Sequence, residues 1–122
     1  MLGMGSKTTN RPLGNAMMRN GSYSAWFRTK LGEGVGVVAL RDGVLTGGDS
    51  VSSYTGAYAL DGAKFTASIA SRRCTEGPSV FGIDNVDLRL TGKSTPTTAS
   101  CTGTAEQAPG LTFEATLIRI VD

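Results

Sequence analysis

From residue 21 onward, apolar and polar side chains alternate with a period of two, and tight turns interrupt the alternation at short intervals. In the segment GSYSAWFR, for example, Tyr23, Ala25 and Phe27 fall on one face of an extended strand. A period of two is the side-chain repeat of a β-strand. About eight such segments follow one another, which predicts an all-β fold: an antiparallel up-and-down barrel or a sandwich. A closed barrel is favoured because it leaves no exposed sheet edges, although the Thr-rich segment TTASCTGT has the composition of an outer or edge strand.

The segment LRDGVLTGGDS, residues 40–50, is typical of turns. Asp42 and Gly43 stand between two apolar runs, a pattern that predicts a hairpin turn with positive φ at both residues. Gly47 and Gly48 predict a bend at a place where a side chain would clash, and Asp49 is predicted to cap that bend through its own backbone. We interpret these five residues as a structural turn motif.

The first twenty residues differ from the rest, since they are polar and lack strand periodicity. Residues 1–20 are therefore predicted to be a flexible upstream extension, with the working start of the protein at Met17 or Met18, and residues 21–122 to be a single β-barrel domain. The one longer connection, CTEGPSVFGIDN, is apolar enough to fold over one end of the core.

Three of the 12 basic residues lie in the extension, so the predicted domain is close to neutral. A nucleic-acid-binding domain would carry a basic patch, and we expect no direct nucleic-acid contact. No apolar run approaches the ~20 residues of a membrane span, and the N-terminus lacks the apolar region of a secretory signal, so we expect a cytoplasmic protein. There Cys74 and Cys101 are expected to be small buried hydrophobes, a disulfide being the less favoured alternative.

The chain contains no histidine, the commonest general base and metal ligand. Asp42, Asp49, Asp61 and Asp84 all stand in turn-like contexts that explain them without catalysis. We therefore expect a non-enzymatic protein without a metal or cofactor.

Residues 20–62 contain the motifs Asn20-Gly21-x-Tyr23-Ser24, Gly34-x-Gly36, and Gly47-Gly48-Asp49 followed by Tyr54-x-Gly56. In these motifs the segment resembles the GrlR-like family, described as negative regulators of type III secretion. It implies a calycin- or lipocalin-like barrel that forms a cytoplasmic homodimer and represses by holding a transcriptional activator. The family's acidic contact run corresponds to Leu60-Asp61-Gly62-Ala63, where only Asp61 is acidic, so no binding residue is transferred from it.

Two binding hypotheses follow from the strand faces. In the first, a homodimer captures a protein partner. The dimer interface uses apolar residues on strand faces that are predicted to be exposed to solvent: Trp26, Ile118 and Ile120. In the alternative, the barrel carries a small apolar ligand, since an eight-stranded barrel can hold one. The cavity would then be lined by Tyr23, Phe27, Val37, Phe65, Leu88 and Phe113.

Overall fold

The structure, a computed structural model, describes residues 17–74 and 85–120. Eight antiparallel strands in these ranges close into one barrel, in which each strand pairs with the next along the chain and the last pairs with the first. The predicted all-β, up-and-down barrel of eight strands is therefore confirmed. The strands are β1 (Gly21–Thr29), β2 (Gly32–Arg41), β3 (Val44–Gly48), β4 (Ser52–Asp61), β5 (Lys64–Arg73), β6 (Asn85–Ser94), β7 (Thr98–Ala105) and β8 (Ala108–Arg119).

The barrel has two ends, which we name by the turns they carry. The lower rim carries the β2–β3, β4–β5 and β6–β7 turns, with the start of β1 and the end of β8. The upper rim carries the β1–β2, β3–β4 and β7–β8 turns, together with the end of β5 and the start of β6. The apolar cover predicted for the segment CTEGPSVFGIDN falls at Val80, Phe81 and Ile83, which lie outside the described residues. No helix in the described ranges is long and apolar enough to cross a bilayer.

The core lies inside the barrel and follows the predicted alternation on most strands. Tyr23 and Phe65 are completely buried, and each strand from β1 to β8 contributes inward apolar residues. Directly paired residues of adjacent strands point to the same side of a sheet. Tyr23 and Val38 are paired, as are Ala67 and Leu90, so the apolar side chains of these neighbouring strands all point to the inside of the barrel.

The interior position predicted for Val37 is wrong. β2 is apolar on both faces, so its own alternation does not tell which face is inward. The register decides: Val38 lies opposite the buried Tyr23 and is itself buried, whereas Val37 points outward and is 51% exposed.

Glycines occupy points in the barrel wall where two strands approach closely. A Cβ atom on Gly47 would collide with the backbone carbonyl of Val37, and one on Gly48 would lie 2.7 Å from the carbonyl oxygen of Ser52. The clash predicted for a side chain at Gly47 or Gly48 is thus confirmed. Glycine at such positions lets the backbones of neighbouring strands approach closely.

The strand β7 is not an edge strand, contrary to the expectation from its composition, because β6 and β8 pair on its two sides. Its inward side chains are small, and one of them is Cys101, which is 3% exposed. Cys74, which follows β5, is exposed rather than buried as expected, and the two thiols are free. Burial raises the pKa of the Cys101 thiol to about 11.

The barrel unit includes residues that precede the boundary expected at residue 21. Met18 is buried in the core at the lower rim. The hydroxyl of Tyr23 donates to the carbonyl of Arg19 at 2.6 Å, and the amide of Arg19 donates to the carbonyl of Pro96 at 2.9 Å. Asn20 exchanges hydrogen bonds with Asp42 through its side chain. Residues 18–20 therefore close this end of the barrel.

Candidate interaction surface and barrel interior

The turn between β2 and β3 has the predicted conformation. Asp42 has a φ of 51° and Gly43 a φ of 89°, so both are in the left-handed region. The carbonyl of Gly43 accepts a hydrogen bond from the amide of Tyr58 at 3.0 Å, which ties the turn to β4. The hairpin predicted from Asp42-Gly43 is confirmed, and the two residues have a structural role.

Asp49 organises the turn between β3 and β4. One of its carboxylate oxygens accepts hydrogen bonds from the amides of Val51 at 2.7 Å and Ser52 at 2.8 Å, which confirms the predicted cap. The other oxygen accepts a hydrogen bond from the hydroxyl of Tyr54, a contact that the sequence did not predict. Burial, the hydrogen bond to Asp49 and the charge of that carboxylate all raise the pKa of Tyr54. Tyr54 is thus held as a neutral donor, its ring edge-on to Phe27 at 6.0 Å between centroids.

The barrel interior contains a small, partly open cavity of about 50 Å³ with an apolar lining, toward the upper rim. Three of the six predicted cavity residues line it: Phe27, Leu88 and Phe113. Tyr23 and Phe65 are buried beyond it, near the lower rim, where the ring of Phe65 stacks on Tyr58. Val37 is outside the barrel, as described above. The wall also includes residues that the prediction missed: Ala25, Val38, Leu45, Tyr54, Ile69, Leu90, Ala115 and Leu117.

Most of these missed residues could have been found from the strand alternation. Ala25 shares the face of Tyr23 and Phe27, and Ala115 and Leu117 share that of Phe113. Only the position of Val38 required the pairing between strands, since β2 gives no preference by itself.

The outer surface of β8, β1 and β2 carries a cluster of large exposed apolar side chains. Val35 is 62% exposed, Val37 51%, Ile118 54% and Ile120 40%, and Trp26 lies among them half-buried. The pairings join them: Trp26 lies opposite Val35, and Ser24 lies between Val37 and Ile118. We call these five large side chains, Trp26, Val35, Val37, Ile118 and Ile120, the outer patch. The three residues predicted for a dimer interface all belong to it, so the structure brings them together.

Polar contacts hold Trp26 in one orientation within the outer patch. The indole Nε1–H donates to Oε1 of Glu33 at 3.0 Å. The guanidinium of Arg28 lies 5.2 Å from the centre of the indole ring and also contacts Glu114 at 2.6 Å. The face of the indole is therefore fixed before any partner arrives, which lowers the entropy lost on binding.

On the opposite side of the barrel, Asp87 makes contacts that connect neighbouring elements of the fold. The carboxylate of Asp87 accepts hydrogen bonds from the side chains of Gln107 at 2.8 Å and Arg72 at 3.0 Å. The hydrogen bond from Gln107, followed by the hydrogen bond and the charge of Arg72, keeps the pKa of Asp87 below its usual value. Within the ranges 17–74 and 85–120, no three Cys, Asp or Glu side chains are close enough to share a metal ion.

In a comparison with known proteins, no protein-family model and no curated protein matches the chain.

Proposed function

We propose that this protein is a non-enzymatic regulatory binding protein of the cytoplasm that works as a homodimer and captures a protein partner. The observation that carries the proposal is the outer patch, in which four large apolar side chains on three neighbouring strands lie beside a fifth, Ile120, which directly follows β8. Single exposed hydrophobic residues are ordinary, whereas a contiguous apolar patch on a folded protein marks an interaction site.

The composition of the outer patch supports a protein partner. It combines a tryptophan with branched aliphatic residues, and the charged residues Arg28, Glu33 and Glu114 lie at its upper edge. An apolar centre with a polar rim is the usual organisation of a protein–protein interface, and tryptophan is the residue type most enriched among binding hot spots.

The regulatory part of the proposal comes from the resemblance of residues 20–62 to the GrlR-like proteins. A barrel that holds an activator away from its target needs a binding surface and no reactive groups. The lack of histidine in the chain agrees with such a role, as does the near-neutral charge outside the first twenty residues, which favours sequestration over direct DNA contact.

The alternative function, carriage of a small apolar ligand inside the barrel, has weaker support. The cavity has an apolar lining, as a carrier requires, but its volume is about 50 Å³. Pockets for drug-sized ligands typically measure about 300–1,000 Å³. Native mass spectrometry of freshly purified protein distinguishes the two functions: a co-purifying apolar molecule in repeated preparations supports a carrier, and a bare polypeptide mass supports the binding protein.

Light scattering tests the homodimer directly. The wild type is expected to have the mass of two chains, and the double variant Ile118→Lys with Ile120→Lys the mass of one. Leu31→Lys is the matched control, because Leu31 is 58% exposed but lies in the β1–β2 turn away from the outer patch. A dimer that persists in the double variant would contradict the proposed interface.

Capture of a partner is tested by pull-down from native lysate, with the wild type and the monomeric double variant as baits. An activator-like protein retained by the wild type supports the regulatory role. A bait that retains no protein in repeated experiments counts against it, whatever the oligomeric state.

A further inference from the structure

The outward side chains of β2 form a row whose two ends carry opposite charges. In order along the strand they are Glu33, Val35, Val37, Ala39 and Arg41, and all five are exposed. The row therefore runs from an acid, through three apolar residues, to a base. Val37 lies at its centre, with two outward residues on either side.

A row of this kind is complementary to itself when it is turned end to end. Suppose that the outer patches of two copies face each other. A two-fold axis that lies between the two sheets, perpendicular to the strands and at the level of Val37, then relates the copies. Rotation about this axis places β2 of one copy antiparallel to β2 of the other. Glu33 then faces Arg41 of the other copy, and Val35 faces Ala39. Because a C2 interface uses the same patch on both subunits, each contact occurs twice.

The neighbouring strands satisfy the same symmetry. Val37 pairs with Ser24, and Ser24 pairs with Ile118, so these three residues form the central level of the outer surface. The level above it contains Val35, Trp26 and Thr116. The level below it contains Ala39 and Ser22, and Ile120, whose amide donates to the carbonyl of Ser22.

Turning the surface end to end places the level above the centre against the level below it. Trp26 then faces Ser22, Val35 faces Ala39 and Ile120 faces Thr116, so a larger side chain meets a smaller one each time. Such pairing of large with small residues is what interdigitated packing requires. An axis parallel to the strands would instead place Glu33 at the same end as the second copy's Glu33, which juxtaposes like charges.

We propose that two copies of this chain associate antiparallel through β1, β2 and β8, with Glu33 of each copy paired to Arg41 of the other. The inference rests on the proposed homodimer and adds its orientation and its charge pairs. Within the described residues, Arg41 has no hydrogen-bonding or ionic side-chain partner, and it is therefore available for this contact.

Charge reversal at the two residues tests the arrangement. In a homodimer of Glu33→Arg, both pairs become Arg against Arg, and in a homodimer of Arg41→Glu both become Glu against Glu. Each variant alone should dissociate at least about tenfold more readily than the wild type in sedimentation equilibrium at low salt. An equimolar mixture of the two should form a heterodimer, because both of its pairs are again opposite in charge.

Three further proteins complete the experiment. The double variant Glu33→Arg with Arg41→Glu restores both pairs within one chain and should dimerise like the wild type, which also shows that the substitutions permit folding. Glu33→Gln retains an acceptor for Trp26 but introduces no repulsion, and should lie between the wild type and Glu33→Arg. Glu106→Arg makes the same charge change in the exposed β7–β8 turn, outside the patch, and should have no effect.

The outcomes separate this inference from the proposed function. A wild type that is monomeric at all concentrations overturns the homodimer and the inference together. A dimeric wild type whose single charge variants dimerise equally well overturns the orientation and leaves the homodimer standing. Single variants that weaken the dimer without rescue by mixing or by the double variant also overturn the antiparallel pairing.

Discussion

The hydroxyl of Tyr54 donates a hydrogen bond to the same carboxylate of Asp49 that caps the start of β4. One acidic side chain therefore fixes both the β3–β4 turn and an aromatic ring in the barrel wall. The segment from Gly47 to Tyr54 works as one unit, in which glycines allow the bend, Asp49 holds it, and Tyr54 joins it to the core.

Removal of the Tyr54 hydroxyl should destabilise the fold. In Tyr54→Phe the carboxylate of Asp49 loses a partner in a half-buried site, and hydrogen bonds to charged groups contribute about 1.5–3 kcal/mol to the free energy of unfolding. Tyr58→Phe is the control, because its hydroxyl makes only a long, exposed contact of 3.5 Å to Asn20, and it should change stability by less than about 0.5 kcal/mol. Urea unfolding at fixed protein concentration measures both, and equal losses would contradict the role of the Asp49 contact.

Asp49→Ala should cost more than Tyr54→Phe, since it also leaves the amides of Val51 and Ser52 without their acceptor. Because the two substitutions remove one shared hydrogen bond, the double variant should lose less stability than the sum of the single losses. Strict additivity in the double-mutant cycle would show that the two side chains do not interact.

Buried Cys101 should make stability fall in moderately alkaline solution. Its pKa is raised from 9.0 to about 11 in the fold, so the unfolded chain releases this proton at lower pH than the folded chain does. The stabilising effect is complete below pH 9 and is lost as pH rises toward 11, with a slope of at most about 1.4 kcal/mol per pH unit. Urea unfolding should show a shallower decline for Cys101→Ala than for the wild type. The comparison is cleanest between pH 9 and 10, below the range in which Tyr54 contributes, and parallel curves there would refute it.

A methyl group on Gly47 should disrupt the wall between β2 and β3. The added Cβ has no room beside the carbonyl of Val37, and overpacking of this kind costs about 1–3 kcal/mol. Gly110→Ala is the matched control, since a Cβ there meets nothing within 4 Å. Thermal unfolding of the two variants should separate them clearly, and a Gly47→Ala protein as stable as the control would show that the wall can relax.

Met18 should contribute to barrel stability although it precedes the first strand. It is 5% exposed, whereas its neighbour Met17 is 51% exposed. Truncation of a buried methionine costs about 2–5 kcal/mol, so Met18→Ala should unfold at clearly lower urea than Met17→Ala. Equal midpoints would place Met18 outside the cooperative core.

The barrel itself could be predicted from the sequence, because the alternation of apolar and polar residues indicates the inner face of most strands. The residue types at the tight turns indicate where the chain reverses. Tyr23, Ala25 and Phe27, or Leu111, Phe113, Ala115 and Leu117, need no partner strand to show which side is apolar. The Asp42-Gly43 turn and the cap at Asp49 are likewise local, since φ preferences and short-range hydrogen bonds decide them.

The sequence by itself determined the secondary structure, the strand order and most of the core. Only the tertiary structure decided which face of β2 is inward, because Gly36, Val38 and Leu40 compete there with Val35, Val37 and Ala39, and pairing with Tyr23 settles the choice. That choice moved Val37 from the expected cavity to the outer patch. Closure of the barrel also places residues that are far apart in the sequence, such as Val35 and Ile118, on one surface. No local sequence pattern can specify such a juxtaposition.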